Sequence, residues 1–236
     1  MGEEYFQTEE QRIQEELERE AKEKKRDKVR KVVVIAVLVL FLGIILYAIF
    51  GPEEERDRKP VIYLYPEETT EVSVLLDFDG RLTSTYPAYD NGWRVVAEPD
   101  GTLTDAAGRE YYCLFWEGDA DVDFDMTKGF CVKGSETAAF LENALAKLGL
   151  SAREADEFII YWLPFMEGNE YNVISFQTDA YTDHAKLQIN PQPDTVIRVF
   201  MAWYGSAKPV SIPAQDLAAP ERSGFTVVEW GGSEIR

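Results

Sequence analysis

The chain has 236 residues and a formal net charge of −19, unevenly distributed along it. Residues 1–31 carry ten acidic and nine basic side chains, Val32 to Phe50 carry none, and the remainder carries 33 acidic and 15 basic, a balance of −18. Such a field repels nucleic acid and other polyanions, and a 19-residue apolar run (50 − 32 + 1) excludes the ordinary soluble cytosolic enzyme.

Residues 3–30 contain neither Gly nor Pro, and Glu16 with Arg19 and Glu20 with Lys24 set opposite charges one turn apart, which predicts a charged helical tail over 1–31. Ile13, Leu17 and Ala21 form too sparse a stripe for a coiled coil. The run 32–50, about 28 Å long as a helix at about 1.5 Å per residue, is predicted to span a bilayer. Lys22, Lys24, Lys25, Arg26, Lys28, Arg30 and Lys31 precede it, whereas Gly51-Pro52-Glu53-Glu54-Glu55 follow. The positive-inside rule therefore places the N-terminus in the cytoplasm and the large domain outside the cell membrane, on a retained single-pass signal-anchor. No A-x-A-like site follows Tyr47-Ala48-Ile49-Phe50, and no cysteine stands near the run.

After a linker over 51–59, residues 60–236 read as one α+β domain, β-rich, antiparallel and sandwich-like, or as a β subdomain over 60–118 joined to an α+β half. Val72, Val74, Leu76 and Phe78 alternate with Glu71, Ser73, Leu75 and Asp77, the period of a half-buried strand. Strands are predicted over 61–65, 71–78, 81–86, 93–98 and 110–116, with Asp79-Gly80 as a hairpin turn and Asn91-Gly92 and Pro99-Asp100-Gly101 as further turns. In the middle, Ala138, Leu141, Leu145 and Leu148 predict a helix over 135–148 that stops at Gly149. Ser151-Ala152-Arg153-Glu154 is a capping-box pattern for a second, short helix. Strands follow over 158–163, 172–177, 196–203 and 225–230, with Pro191, Pro193, Pro209, Pro213 and Pro220 marking loops.

The run Lys59-Pro60-Val61-Ile62-Tyr63-Leu64-Tyr65-Pro66 is followed in order by Asn91-Gly92-Trp93, Leu114-Phe115-Trp116-Glu117-Gly118, Gly129-Phe130-Cys131, Tyr161-Trp162-Leu163-Pro164 and Glu229-Trp230-Gly231-Gly232. With these motifs the chain resembles a family of uncharacterised, membrane-anchored bacterial proteins common in gut Firmicutes. The resemblance covers nearly all of 59–236 and implies no activity, cofactor or site residue.

Candidate chemistry comes from the residues themselves. Cys113 and Cys131 are 18 positions apart (131 − 113) and form either a disulfide, contributing about 3 kcal/mol in an oxidising compartment, or two buried thiols. The paired spacings of structural zinc are absent. His184 is the single histidine, and in Thr182-Asp183-His184-Ala185 it reads as a surface-loop residue. No G-x-S-x-G accompanies it, and the order Cys131 before His184 is the reverse of a sortase. Asp119, Asp121, Asp123 and Asp125 fall at every second position, so an extended segment would crowd four carboxylates on one side and invite calcium; no other cofactor is indicated. The spacing is not that of an EF-hand, since Met126 and Val132 stand where Gly and Glu belong. Glu117 with Asp119 or Asp121 is the candidate catalytic pair of an envelope hydrolase. Trp93, Trp116 and Glu117 are candidates for an exposed ligand-binding strip, aromatic faces beside a carboxylate suiting a sugar or a peptide. The favoured expectation is non-enzymatic: an anchored, acidic, aromatic-rich domain that binds an envelope or extracellular ligand or a partner protein, with the bilayer as its other partner.

Overall fold

The structure, a computed structural model, describes residues 9–50 and 56–235, with side chains described at 15–20, 22–26, 28–44 and 59–235. The chain divides into two compact units, Met1–Glu53 and Glu54–Arg236. In the first, α1 (Glu9–Phe50) runs unbroken for 42 residues. Lys24 and Glu20 form the expected pair one turn apart at 3.3 Å, and both are well exposed, so the pair adds a few tenths of a kcal/mol at most. From Val32 to Ile44 the large apolar side chains are 51 to 66% exposed. Among the described residues no helix is long and apolar enough to cross a membrane, and the side chains of Ile45 to Phe50, on which the expected span depends, lie outside them.

The second unit begins with eight strands: β1 (Arg56–Tyr65), β2 (Thr70–Phe78), β3 (Arg81–Tyr86), β4 (Trp93–Ala97), β5 (Leu103–Thr104), β6 (Glu110–Tyr111), β7 (Leu114–Asp119) and β8 (Phe130–Lys133). Helices α2 (Thr137–Lys147) and α3 (Ala152–Met166) follow, then β9 (Tyr171–Gln177), α4 (Asp179–His184), β10 (Ala185–Asn190), β11 (Thr195–Ser206) and β12 (Thr226–Glu234). One sheet has seven strands in the order β3-β7-β1-β12-β11-β9-β8, and the other has five in the order β10-β2-β4-β5-β6. Neighbours are antiparallel except β11 and β12, which run parallel and are joined by the irregular segment 207–225. That segment is tied down where β8 begins: the Gln215 amide accepts from Phe176 N at 2.8 Å and donates to Phe176 O at 2.9 Å, and Gly129 N donates to Pro213 O at 2.8 Å.

Two hydrophobic cores lie on opposite faces of the seven-stranded sheet. Strand alternation explains the division, because successive side chains point to opposite faces. Val61 and Tyr63 of β1, Ile197, Val199, Met201 and Trp203 of β11, and Val228 and Trp230 of β12 pack with Leu141, Leu145, Phe158, Trp162 and Met166 of α2 and α3. Their neighbours Ile62, Leu64, Phe200, Ala202 and Val227 pack instead with Val72, Val74, Leu76, Trp93, Val95 and Ala97 of the five-stranded sheet. The result is three layers: helices, seven-stranded sheet and five-stranded sheet. At Gly232 a Cβ would lie 2.8 Å from the Trp162 ring and 2.6 Å from Met201 O, so glycine is what lets α3 approach the sheet closely.

The α+β, β-rich and antiparallel character expected from the sequence is present, and several elements differ. The stretch 158–163 is not a strand; it lies inside α3. Ala155, Phe158, Trp162 and Met166 are all buried and spaced three, four and four apart, a helical stripe that outweighs the β-like composition of Phe-Ile-Ile-Tyr-Trp-Leu. The capping box is formed as expected, with Ser151 N donating to Glu154 at 2.7 Å and the Ser151 hydroxyl accepting from Glu154 N at 3.4 Å, but the helix it opens runs for 15 residues. Asp79-Gly80 is not a hairpin turn: β2 pairs with β10 and β4, whereas β3 pairs with β7, so the chain crosses between sheets there. It crosses back between β3 and β4 and enters the seven-stranded sheet again at Tyr112-Cys113, which splits the expected strand 110–116 into β6 and β7. Since β1 sits between β7 and β12, residues 60–118 share both sheets with the later half and form no separate β subdomain.

Candidate functional site

The motif strand β1 supplies one side of the site. Lys59, Val61, Tyr63 and Tyr65 alternate onto the helix-covered face, where they meet Glu154, Glu157 and Tyr161, three and four apart on α3. Lys59 Nζ lies 4.8 Å from the Tyr161 ring centroid and 5.4 Å from that of Trp230. The Tyr63 hydroxyl donates to Glu157 at 2.8 Å and accepts from Trp230 Nε1 at 3.2 Å. Burial first, and then the Glu157 carboxylate, raises the Tyr63 pKa, so this phenol is a neutral donor at any physiological pH. Tyr65 is raised in the same direction by burial and by Glu154.

Glu154 is buried to 1% exposure at the start of α3. It receives both the capping-box N–H of Ser151 and the Arg222 guanidinium, whose Nη2 also donates to Gly149 O at 2.8 Å. Burial opposes its charge, but Arg222, the Ser151 N–H and Tyr65 outweigh burial and hold its pKa below the usual carboxylate value. Arg222 lies 5.9 Å over the Tyr65 ring, so the cation is fixed by a carboxylate, a carbonyl and an aromatic face together.

These groups converge on a cleft of about 410 Å³ lined by Tyr63, Tyr65, Tyr112, Asp100, Gly101, Thr102, Ser151, Arg153, Glu154 and Arg222. The turn between β4 and β5 closes it: Asp100 accepts the Thr102 N–H at 2.8 Å, and Gly101, at φ +89°, has the Tyr65 ring where a Cβ would come within 2.7 Å. Tyr63 and Tyr65 are parallel with centroids 6.2 Å apart, and Tyr112 is tilted against Tyr63 at 6.5 Å. The three rings form a wall whose outermost member, Tyr112, is 52% exposed. A second cleft of about 500 Å³, between Phe130, Phe140, Lys147 and Leu217, has fewer fixed polar groups, and its Gln215 is already committed to β9.

The residues singled out from the sequence lie elsewhere. Trp93 and Trp116 do not form an exposed strip. Trp93 donates to Pro87 O at 2.8 Å and Trp116 donates to Glu229 Oε1 at 3.1 Å, and both are buried between the sheets. Glu117 is half-buried on β7 and accepts from Lys59 N at 3.3 Å. Asp119 is buried and bonded by Arg81, whereas Asp121, Asp123 and Asp125 are exposed on the irregular segment that follows. The four aspartates therefore do not share one environment, and among the described residues no group of three or more His, Cys, Asp or Glu side chains could hold a metal ion. Asp125 accepts from Thr127 N at 2.8 Å in its own turn, and bonds from Thr127 lower its pKa.

The two cysteines are free thiols. Cys113 immediately precedes β7 and Cys131 lies on β8, five strand spacings away across the sheet, or about 24 Å at about 4.8 Å per step, far beyond the reach of a disulfide. Burial, then the Glu157 charge, pushes the Cys113 thiol up to about 12, so it is inert. His184 is not a surface-loop residue: it ends α4, 9% exposed, against Phe78 at 5.3 Å and Tyr181 at 5.8 Å. Sequence reasoning misses the cleft because 158–163 reads as a strand; once 152–166 is helical, the Glu154, Glu157, Tyr161 spacing faces the odd-numbered residues of β1.

No protein-family model matches the chain, and no solved structure matches it. Over an alignment of 93 positions that takes in 36% of the chain and 96% of the other protein, the chain is 41% identical to the "Uncharacterized protein in bglA 3'region" of Butyrivibrio fibrisolvens.

Proposed function

We propose that this chain, which belongs to the same family as that Butyrivibrio fibrisolvens protein, is a single-pass membrane-anchored binding module whose site is the cleft between β1, the start of α3 and the 99–102 turn. One observation carries the reading: the cleft has a wall of tyrosine rings beside ion-paired polar groups already fixed in place, the combination of apolar surface and few oriented polar contacts that suits a ligand site. Preorganised groups lose little freedom when a ligand arrives. The hydrolase alternative needs Glu117 and Asp119 or Asp121 around one bond. Asp119 is bonded instead by Arg81, and Asp121 is exposed on an irregular segment, so binding has the better support.

Anchoring rests on α1. Its large apolar side chains from Val32 to Ile44 are exposed, and consecutive residues project about 100° apart, so apolar surface faces outward all round the helix. A lipid environment would cover that surface, and the basic residues 22–31 would sit among anionic headgroups on the cytoplasmic side. The expected result is that the full chain stays with membranes after alkaline extraction and that protease added outside cells digests residues beyond 51. Release by alkali overturns the anchor.

The binding reading is tested by incubating the full chain in nanodiscs with isolated cell-envelope polymer. Retention on the polymer without release of soluble fragments is expected. Fragment release supports the hydrolase instead and makes Glu117→Gln the deciding variant. Neither retention nor release points to a protein partner.

A further inference from the structure

We propose that the ligand of this cleft is a neutral saccharide, stacked on Tyr112 and Tyr65 and hydrogen-bonded by Arg153, Asp100 and Arg222; the inference rests on the cleft being the binding site. Charge is the first argument. Arg153 and Arg222 are the bases lining the cleft, and Asp100 and Glu154 the acids, so the lining sums to zero in a part of the chain that carries −18. A polyanion is repelled by the domain as a whole, and a cationic ligand meets guanidinium groups here and better acidic surface elsewhere. An uncharged polyol has no such preference against the cleft.

Shape and hydrogen bonding are the second argument. Tyr112 is half exposed and leans against Tyr63, which offers an apolar ring face at the mouth of the cleft. A pyranose ring has an apolar C–H face that stacks on such a surface while its rim of hydroxyls both donates and accepts. The lining supplies each kind of partner. Arg153, 79% exposed, donates in a planar fork, Arg222 keeps one Nη1 N–H beyond those it gives to Glu154 and Gly149, and Asp100 accepts while held by the Thr102 N–H. Adjacent hydroxyls match planar, paired groups of this kind.

The topology also disfavours a peptide. An extended peptide is best held by an open strand edge that completes its backbone hydrogen bonds. The strand beneath the cleft, β1, pairs with β12 as far as Tyr65 and with β7 as far as Ile62, so the edge it leaves is the three residues Tyr63–Tyr65, too short to hold an extended peptide. Side-chain contacts alone would leave the peptide's own N–H and C=O groups to solvent.

The test uses the full chain in nanodiscs, titrated calorimetrically with cello-, chito- and xylo-oligosaccharides and with a set of neutral tripeptides. Binding of at least one oligosaccharide is expected, weakened about tenfold or more by Tyr112→Ala and by Arg153→Ala, whose side chains are exposed enough to leave the fold intact. Phe165→Ala, at an exposed aromatic at the other end of α3, leaves binding unchanged. Saccharide binding that survives Tyr112→Ala and Arg153→Ala overturns the assignment to this cleft. Tripeptide binding lost in Tyr112→Ala, with no saccharide bound, overturns the ligand class and leaves the module standing. No binding of any oligosaccharide by a chain that still sediments with envelope polymer overturns the saccharide alone; loss of both overturns the module as well.

Discussion

On the face of the seven-stranded sheet turned toward the five-stranded sheet, Glu229 is fully buried and Arg198 nearly so, joined at 2.6 Å and sealed further by Trp116 and by the Ala185 carbonyl. On the helix-covered face Glu154 is equally buried, but its partner Arg222 keeps 32% of its side chain exposed and borders the cleft. One joins two strands of the sheet and the other joins α3 to the segment 207–225, and they have different consequences. A sealed pair fixes strand register and layer packing and has no access to a ligand. A pair that reaches a cleft beside aromatic rings orients a group for recognition while its carboxylate anchors the helix. Burial of charge is therefore a weak guide to a site by itself; the deciding feature is which pair touches solvent through an aromatic wall.

The sharpest break of this comparison is to remove each cation in turn. Arg198→Met strands Glu229 with only the Trp116 N–H, and the domain should lose about 3–5 kcal/mol in urea denaturation. Arg222→Met leaves Glu154 the Ser151 N–H, the Tyr65 hydroxyl and nearby solvent, so a smaller loss, about 1–3 kcal/mol, is expected. Equal losses would mean that the open pair is as sealed as the closed one and that the cleft is only a surface dimple.

Acid sensitivity separates the same two faces. His184 borders the closed layer, where burial chiefly, with Arg198 adding and Asp79 opposing, puts its pKa below its ordinary 6.5. Its folded pKa is depressed, so the stability it contributes is complete above about pH 6.5 and falls as pH drops through the folded value. Glu154 is also depressed, from 4.5, so its contribution is intact above about pH 4.5 and is lost only below that. Denaturation midpoints measured from pH 8 to pH 3 should fall in two stages. His184→Phe, which keeps the packing against Phe78 and Tyr181, removes the first stage, and Glu154→Gln removes the second. A single stage insensitive to His184→Phe would place the first weakness elsewhere.

Thiol chemistry gives a third, kinetic contrast. Cys131 is half-buried on the edge strand β8 with its sulfur accepting from Val210 N at 3.2 Å, whereas Cys113 is buried with its pKa pushed up to about 12. Under non-reducing conditions both should alkylate once the chain is unfolded, and in the folded chain Cys131 should react first by orders of magnitude. A disulfide-linked peptide in the mass spectrum would contradict the order of the strands.

How much of this can be read in the sequence follows from where its periodicity is strong. Val72, Val74 and Leu76 alternate with Glu71, Ser73, the exposed Leu75 and Asp77 because β2 is covered on one face only, and β2 is legible to within a residue. Strands β1, β11 and β12 are covered on both faces, so Ile62 beside Val61 and Phe200 beside Met201 look continuous rather than alternating, and the sequence shows strands there without showing three layers. Phe158 to Leu163 has the composition of such a strand; only the buried stripe Ala155, Phe158, Trp162 and Met166, together with the cap at Ser151, makes it a helix. With that helix misread, Glu154 and Glu157 are separated from Tyr63 and Tyr65, and the aromatic signal falls on Trp93 and Trp116, whose indoles are large enough to fill the closed layer. The aspartates of 119–125 are conspicuous because they repeat, yet a repeat of two places them together only in a regular strand, and β7 ends at Asp119.

The smallest effects test the cleft from within, floor against rim. Tyr63 is at the floor, where its hydroxyl joins Glu157 to Trp230 Nε1, so Tyr63→Phe leaves a buried indole N–H and a carboxylate each short of a partner. About 1–3 kcal/mol of stability should be lost. Tyr112 is at the rim and half exposed, and Tyr112→Phe should change stability by no more than about 0.5 kcal/mol. If the rim exists to stack a ligand, the phenylalanine also keeps most of the affinity, because the ring face survives while only the hydroxyl is lost, and Tyr112→Ala loses it. A rim substitution as costly to stability as the floor one would make Tyr112 a packing residue, and the wall of three rings would then be part of the core rather than a surface open to a ligand.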